Sequence, residues 1–271
     1  MSGPGLALRQ VRFTNKAFWR NPASAFFTFA FPLMFLVIFT SLLGSGNLPI
    51  HGVSIKQSWY FVGAMGGFGV ISACYTNIAI TVTFQRDQGI LKRLRGTPLP
   101  AWAYLFSRVV HSMIVAGILV VITLVFGRLV YGTPLPTGVP LLEYCVALVV
   151  GALSFSALAL ALTGVIPNAD AAPPMVNASI LPLLFLSGIF IPLGDDAPRW
   201  ITIVGDIFPV KHFVDTLYGG FLGNFTASAS AGPLAGTHPF PFRWGDVLVV
   251  AAWGVAGLVL AARSFSWEPR K

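Results

Sequence analysis

Long apolar runs constrain this chain most, because a helix crosses a hydrocarbon core about 30 Å thick with about 20 apolar residues in succession. In lipid every backbone N–H and C=O must be paired within the segment, so such runs read as helices. Six are expected: Ser24 to Leu43, Trp59 to Phe84, Trp102 to Val130, Val139 to Ile166, Ala172 to Leu193 and Trp244 to Ala262. Of the 271 residues, 55% are hydrophobic and 10% charged, whereas a soluble domain carries about 25% charged residues. The expected fold is therefore an all-α membrane protein with six transmembrane helices, one domain spanning residues 1–271. An amphipathic interfacial helix at 5–22 precedes the first span, a short cytoplasmic helix at 85–100 joins the second to the third, and a re-entrant helix pair at 194–216 precedes the last.

The net charge of +8 would suggest nucleic acid in a soluble protein, but its distribution argues against that partner. Arg9, Arg12, Lys16 and Arg20 precede the first run; Arg86, Lys92, Arg93 and Arg95 lie between the second and third; Arg263, Arg270 and Lys271 follow the last. These clusters mark one side of a membrane, the cytoplasmic one by the positive-inside rule. An even number of crossings then leaves both termini there. Lys56, Arg128, Arg199, Lys211 and Arg243 are scattered through the other loops. Cys74 and Cys145 both sit in apolar runs, which suggests packing rather than a disulfide framework.

Winding Leu6 to Asn21 at about 100° per residue gathers Arg9, Arg12, Lys16 and Arg20 into one arc, with Leu8, Val11 and Phe18 mostly opposite. A basic amphipathic helix of this kind rests on a membrane surface; a solvated leader that only sets topology is the plainer alternative. The stretch from Gln85 to Pro100 carries a charged entry, Gly89 as a turning point, a short helical piece with Ile90, Leu91 and Leu94 on one side, and a Thr97-Pro98 exit. A short helix so built can seat in a groove of another protein and push on the spans it joins.

Several of these features occur together in a known family. Arg20-Asn21-Pro22 stands before the first span, Gln85, Arg86, Gly89 and Leu94 follow an acidic-Arg-x-x-Gly-x-x-x-x-Leu pattern closed by Thr97-Pro98, Leu186 to Pro192 reads Leu-Ser-Gly-Ile-Phe-Ile-Pro, and Pro198-Arg199-Trp200 with Phe208-Pro209 comes after. With these, the chain from Leu8 to Arg263 resembles the ABC type-2 exporter permeases, in particular the bacterial daunorubicin-exporter-like membrane subunits. Gln85 departs from the pattern, which commonly has Glu there. The resemblance implies a coupling helix that contacts an ATPase subunit through Arg86, Asp87, Gly89, Leu91, Arg93, Leu94, Thr97 and Pro98. It also implies a dimer of permease protomers with two ATPase subunits, location in the bacterial inner membrane, and export of amphipathic compounds such as drugs or secondary metabolites. A lipid-linked glycan is the alternative cargo.

The energy source is expected elsewhere. The sequence has no G-x-x-x-x-G-K-[ST] run, so it lacks the backbone nest and lysine that hold nucleotide phosphates; ATP and Mg are expected on the partner, with no cofactor on this chain. Charged side chains cost at least about 2.5 kcal/mol at the membrane centre and are kept there for function. Arg108 and His111 lie one turn apart in the cytoplasmic part of the third run and are read as a snorkelling cation and a hydrogen-bonded packing residue. No H-E-x-x-H or paired-carboxylate motif supports an intramembrane enzyme, no catalytic or metal-ligating set is assigned, and no filter motif or charged ring supports a channel. By resemblance, the second and fifth spans line the route, with Phe61, Phe68, Tyr75 and Asn77 on one and Met175, Asn177, Leu184 and Phe185 on the other. Helix packing explains those residues equally well, and Leu183, Leu184 and Phe185 are the candidates for a dry constriction.

Overall fold

A computed structural model describes residues 3–42, 46–50, 53–97, 99–193, 198–225 and 240–267. Helix α1 (Gly3–Trp19) is followed by α2 (Pro22–Leu42) and a two-stranded hairpin, β1 (Asn47–Ile50) and β2 (Val53–Lys56). The second long run forms one continuous rod: α3 (Gln57–Ile71), a π-helical turn (Ser72–Thr76) and α4 (Asn77–Asp87). Then come α5 (Ile90–Arg95), α6 (Ala101–Tyr131), α7 (Val139–Thr163), α8 (Ala172–Leu186), α9 (Arg199–Ile207), α10 (Pro209–Phe221) and α11 (Trp244–Ser264).

Among the described residues, five helices are long and apolar enough to cross a membrane: α2, the rod from Gln57 to Asp87, α6, α7 and α11. This is an all-α membrane architecture apart from the hairpin, which the sequence reading lacked. Its strands pair antiparallel with Asn47 opposite Lys56 and Leu48 opposite Ile55, and Ile55 is buried. The fifth expected crossing differs most from expectation. Its helix begins at Ala172 and ends at Leu186, 15 residues in all, because Gly188 takes a left-handed φ of 84° and so ends the helix as glycine commonly does just past a C-cap.

The rod from Gln57 to Asp87 is the axis of the chain: 67% of its most apolar window is buried, against 22% for α2, which is therefore peripheral. Helix α3 packs on α6, α4 on α7 and α8, and α10 wedges against α7, α11 and α3. The α7–α11 contact is close because Gly254 leaves no room for a side chain; a Cβ there would come within 2.4 Å of the Ser154 hydroxyl. Small residues permit such approach where lipid supplies no hydrophobic drive between helices.

Contacts sort the element ends into two groups. At one end, α4 finishes beside the α7–α8 turn, Tyr104 at the start of α6 lies 5.9 Å from Trp267 after α11, and α1 lies along α6 with Phe18 5.2 Å from His111. Arg9, Arg12, Lys16, Lys92, Arg93 and Arg263 share this end and are exposed. At the other end the start of α3 meets Gly188 and α10. The face of α1 turned to α6 carries Ala7, Val11, Thr14 and Phe18, whereas Leu8 and Phe13 are exposed beside the arginines; Val11 and Phe18 thus pack on protein. His111 is buried, and its Nδ1 has no hydrogen-bond partner among the described residues.

Candidate functional site

The bend after the second span is built around two residues that face opposite ways. Helix α4 ends at Asp87, Gln88 N–H donates to the Phe84 carbonyl and Gly89 N–H to the Arg86 carbonyl. Gly89 then takes φ 69° with nothing within 4 Å of where a Cβ would sit, so glycine is there for backbone conformation and not for space. In α5, Leu91 is fully buried and Ile90 and Leu94 are half-buried, while Lys92 and Arg93 are exposed. The apolar side anchors the helix on the bundle and the cationic side is presented outward. Thr97 is exposed and closes the helix by donating from Oγ1 to the Leu94 carbonyl at 2.6 Å; Pro98 lies outside the described residues.

Arg86 does not join this outward face. It is 2% exposed and its guanidinium reaches across to the end of α7, donating from Nη1 to the Thr163 carbonyl at 2.6 Å and from Nη2 to the Ile166 carbonyl at 2.6 Å and that of Pro167 at 3.3 Å. The last carbonyls of a helix have no intrahelical partners and carry the negative end of its dipole, which makes a cation favourable there. Asp87 completes the joint: its Oδ2 accepts from Ala169 N–H at 3.2 Å. One residue earlier, Gln85 Oε1 accepts from the Tyr104 hydroxyl at 2.7 Å and from Arg108 Nη2 at 2.5 Å. Arg108 is therefore tethered to the second span, its guanidinium 5.3 Å from the Tyr104 ring centre.

The residues expected to line a route separate into three groups. Phe61, Phe68, Tyr75 and Leu184 are buried within the single chain, Met175 and Asn77 are half-buried, and Asn177 and Phe185 are exposed. Phe61 stacks on Phe39 with ring centres 5.4 Å apart, and Phe68 lies 5.5 Å from Phe190. Tyr75, within the π-helical turn, pairs its hydroxyl with Ser179 Oγ on α8 at 2.8 Å, and Asn77 Oδ1 accepts from Thr81. On α8 the exposed positions are Pro174, Asn177, Ala178, Leu181, Pro182 and Phe185, a single stripe at helical spacing.

The opposite end is closed differently. The Tyr60 hydroxyl donates to the Gly188 carbonyl, its ring stacks on Tyr218 at 4.7 Å, and the Tyr218 hydroxyl donates to the Tyr60 carbonyl at 3.1 Å. Phe190, in the turn after α8, lies 5.0 to 6.0 Å from Phe35, Phe39, Phe68 and Phe185. On α10, His212 Nδ1 pairs with Asp246 at 2.7 Å, and Lys211 with Asp206. Asp215 is raised from 3.8 to about 6, by burial first and by Asp246 less, against the lowering effect of Lys211, Arg243 and His212. Tyr60, Gly188, Thr163 and Ile166 were missing from the sequence-derived site; the one visible cue was Gly188 as a helix stop. No group of three or more His, Cys, Asp or Glu side chains able to hold a metal occurs among the described residues.

Several helices apolar enough to cross a membrane, gathered around a buried axis with a basic helical bend at one end, define a multi-pass membrane protein. The chain belongs to the ABC-2 type transporter family, which matches residues 9–222. Escherichia coli K12 YbhR, described as a probable multidrug ABC transporter permease, is 24% identical over 165 residues, covering 61% of this chain and 44% of that protein. Bacillus subtilis 168 YvfS, described as a transport permease, is 23% identical over 199 residues, covering 72% of this chain and 76% of that one. The match therefore spans less than half the length of YbhR.

Proposed function

We propose that the chain is the membrane half of an ATP-driven exporter, working as a dimer of permease protomers with two copies of a separate ATPase that binds ATP and Mg. The observation that carries this reading is the α4–α5 bend: Leu91 roots it in the bundle while Lys92 and Arg93 project from the basic end, as a docking surface for another protein requires. Gly89, Leu94 and Thr97 shape that surface, and Arg86 and Asp87 hold it from behind. The basic end faces the cytoplasm of a bacterial cell, both termini included, and α1 lies along the inner surface with Arg9, Arg12, Lys16 and Arg20 near lipid phosphates.

In this reading α8 together with Ser187 to Leu193 completes a sixth crossing, and α9 and α10 dip into the external face as a re-entrant pair. The exposed α8 stripe, with Asn177 and Phe185, faces the second protomer across the route. Phe61, Phe68, Tyr75, Asn77, Met175 and Leu184 support that wall from behind. Apolar walls with few polar groups suit amphipathic or lipid-like cargo, and the multidrug description of YbhR favours drug-like compounds over a lipid-linked glycan.

The test is co-purification with candidate ATPase subunits, followed by ATP turnover in liposomes across a panel of amphipathic compounds. Arg93→Glu is expected to leave the chain inserted and dimeric while abolishing the permease-dependent part of ATP turnover. Turnover unchanged in Arg93→Glu would remove the bend as the docking surface.

A further inference from the structure

We propose that Arg86 is a positioning residue that makes the docking bend and the α7–α8 turn one rigid unit, so that a push received at α5 is delivered directly to the foot of α8. This rests on the reading of α5 as the docking surface for an ATPase, and it adds a route for the mechanical signal that does not pass along the second span.

The geometry has three parts. The Arg86 fork grips the carbonyls of Thr163, Ile166 and Pro167, three points along the short stretch between α7 and α8. Asp87 holds Ala169 N–H, three residues before α8 begins. Arg86 and Asp87 are the last residues but one and the last of α4, and Gly89, the left-handed pivot, separates them from α5 by a single turn. Displacing α5 without the α7–α8 turn would therefore break several charge-assisted hydrogen bonds in a buried place, where unpaired carbonyls are costly.

The upper boundary of this unit is also visible. Above α4 the Ser72–Thr76 turn is π-helical, with Asn77 N–H bonded back to the Ser72 carbonyl; such turns interrupt the regular ladder and commonly mark hinges. The lower half of the second span can thus tilt with the turn to α8 while α3 stays packed on α6. A lysine in place of Arg86 keeps the charge but lacks the planar fork needed to span separate carbonyls.

The test uses pairs of nitroxide labels on the full chain in nanodiscs, with Cys74→Ala and Cys145→Ser removing the native thiols. One pair sits at Lys92→Cys and Asp170→Cys across the joint; a reference pair sits at Lys92→Cys and Arg199→Cys. Without nucleotide, the first pair is expected to give a narrow distance distribution that broadens in Arg86→Gln and partly narrows again in Arg86→Lys, with helical content unchanged. On adding Mg-ATP to the complex with the ATPase, Lys92 and Asp170 should move together relative to Arg199, and Lys92 alone in Arg86→Gln. A first-pair distribution indifferent to Arg86→Gln overturns the proposal. If that distribution broadens as expected but Mg-ATP moves no label, the rigid joint stands and the ATPase-driven reading falls.

Discussion

The two ends of the second span are fastened by different physics. At the basic end Gln85, Arg86 and Asp87 make short, directional bonds to Tyr104, Arg108 and the backbone between α7 and α8. At the other end most of the contact is ring against ring, with Phe190 among Phe35, Phe39, Phe68 and Phe185, and Tyr60 on Tyr218. Hydrogen bonds to charged groups hold one geometry and fail if it shifts; aromatic contacts tolerate sliding over a range of offsets. The comparison teaches that the basic end is held to one geometry whereas the opposite end can repack.

The largest effect that can break this contrast is at Arg86. Arg86→Ala leaves the carbonyls of Thr163, Ile166 and Pro167 without their charged donor, an expected loss of about 3 kcal/mol, read by equilibrium unfolding in mixed micelles. Phe190→Ala comes next. Because the surrounding medium is itself apolar, the water-transfer part of the cost is absent and the cavity part remains, about 2 kcal/mol. A larger loss for Phe190→Ala than for Arg86→Ala would reverse the contrast. Tyr60→Phe removes one hydrogen bond to Gly188 while keeping the ring stack, an expected loss of about 1 kcal/mol in the same assay.

The smallest effect concerns pH at the aromatic end. The carboxyl of Asp215 is raised to about 6 from an ordinary 3.8, so the folded state holds that proton more tightly than the unfolded one. Its contribution is fully present below pH 3.8 and disappears as pH rises through about 6. Acidification from pH 7 to pH 5 is expected to raise thermal stability in detergent, and Asp215→Asn, neutral throughout, to flatten that part of the profile. An identical slope in the variant would assign the effect to another group.

Much of this arrangement was legible beforehand because lipid imposes strong rules on composition. Five long helices begin and end within about three residues of the expected runs, since boundaries coincide with charged residues, Gly or Pro, as at Pro100, Gly132, Gly138 and Gly164. The family pattern at Gln85 to Thr97 located the bend. Three things were not legible. The hairpin strands are four residues each, too short for alternation to stand out. The orientation of Arg86 depends on where α7 happens to end, which no local pattern encodes, so an arginine in a basic cluster was grouped with its exposed neighbours. The burial of Phe61 and Phe68 depends on α2 and on the turn at Phe190, tertiary partners that hydropathy alone does not name.

The π-helical turn has a bearing on how chains of this kind can vary in length. Each residue inserted in or removed from a helix rotates everything beyond it by about 100°, and the widened turn at Ser72–Thr76 holds the surplus in one place. Trimming a single residue there would let the rod run as a regular helix with Arg86 still turned to the end of α7, whereas trimming one from α4 would swing Arg86 away from that end and Gln85 away from Arg108. Length can therefore vary at the π-helical turn, while the residue count of α4 is fixed by the arginine near its end.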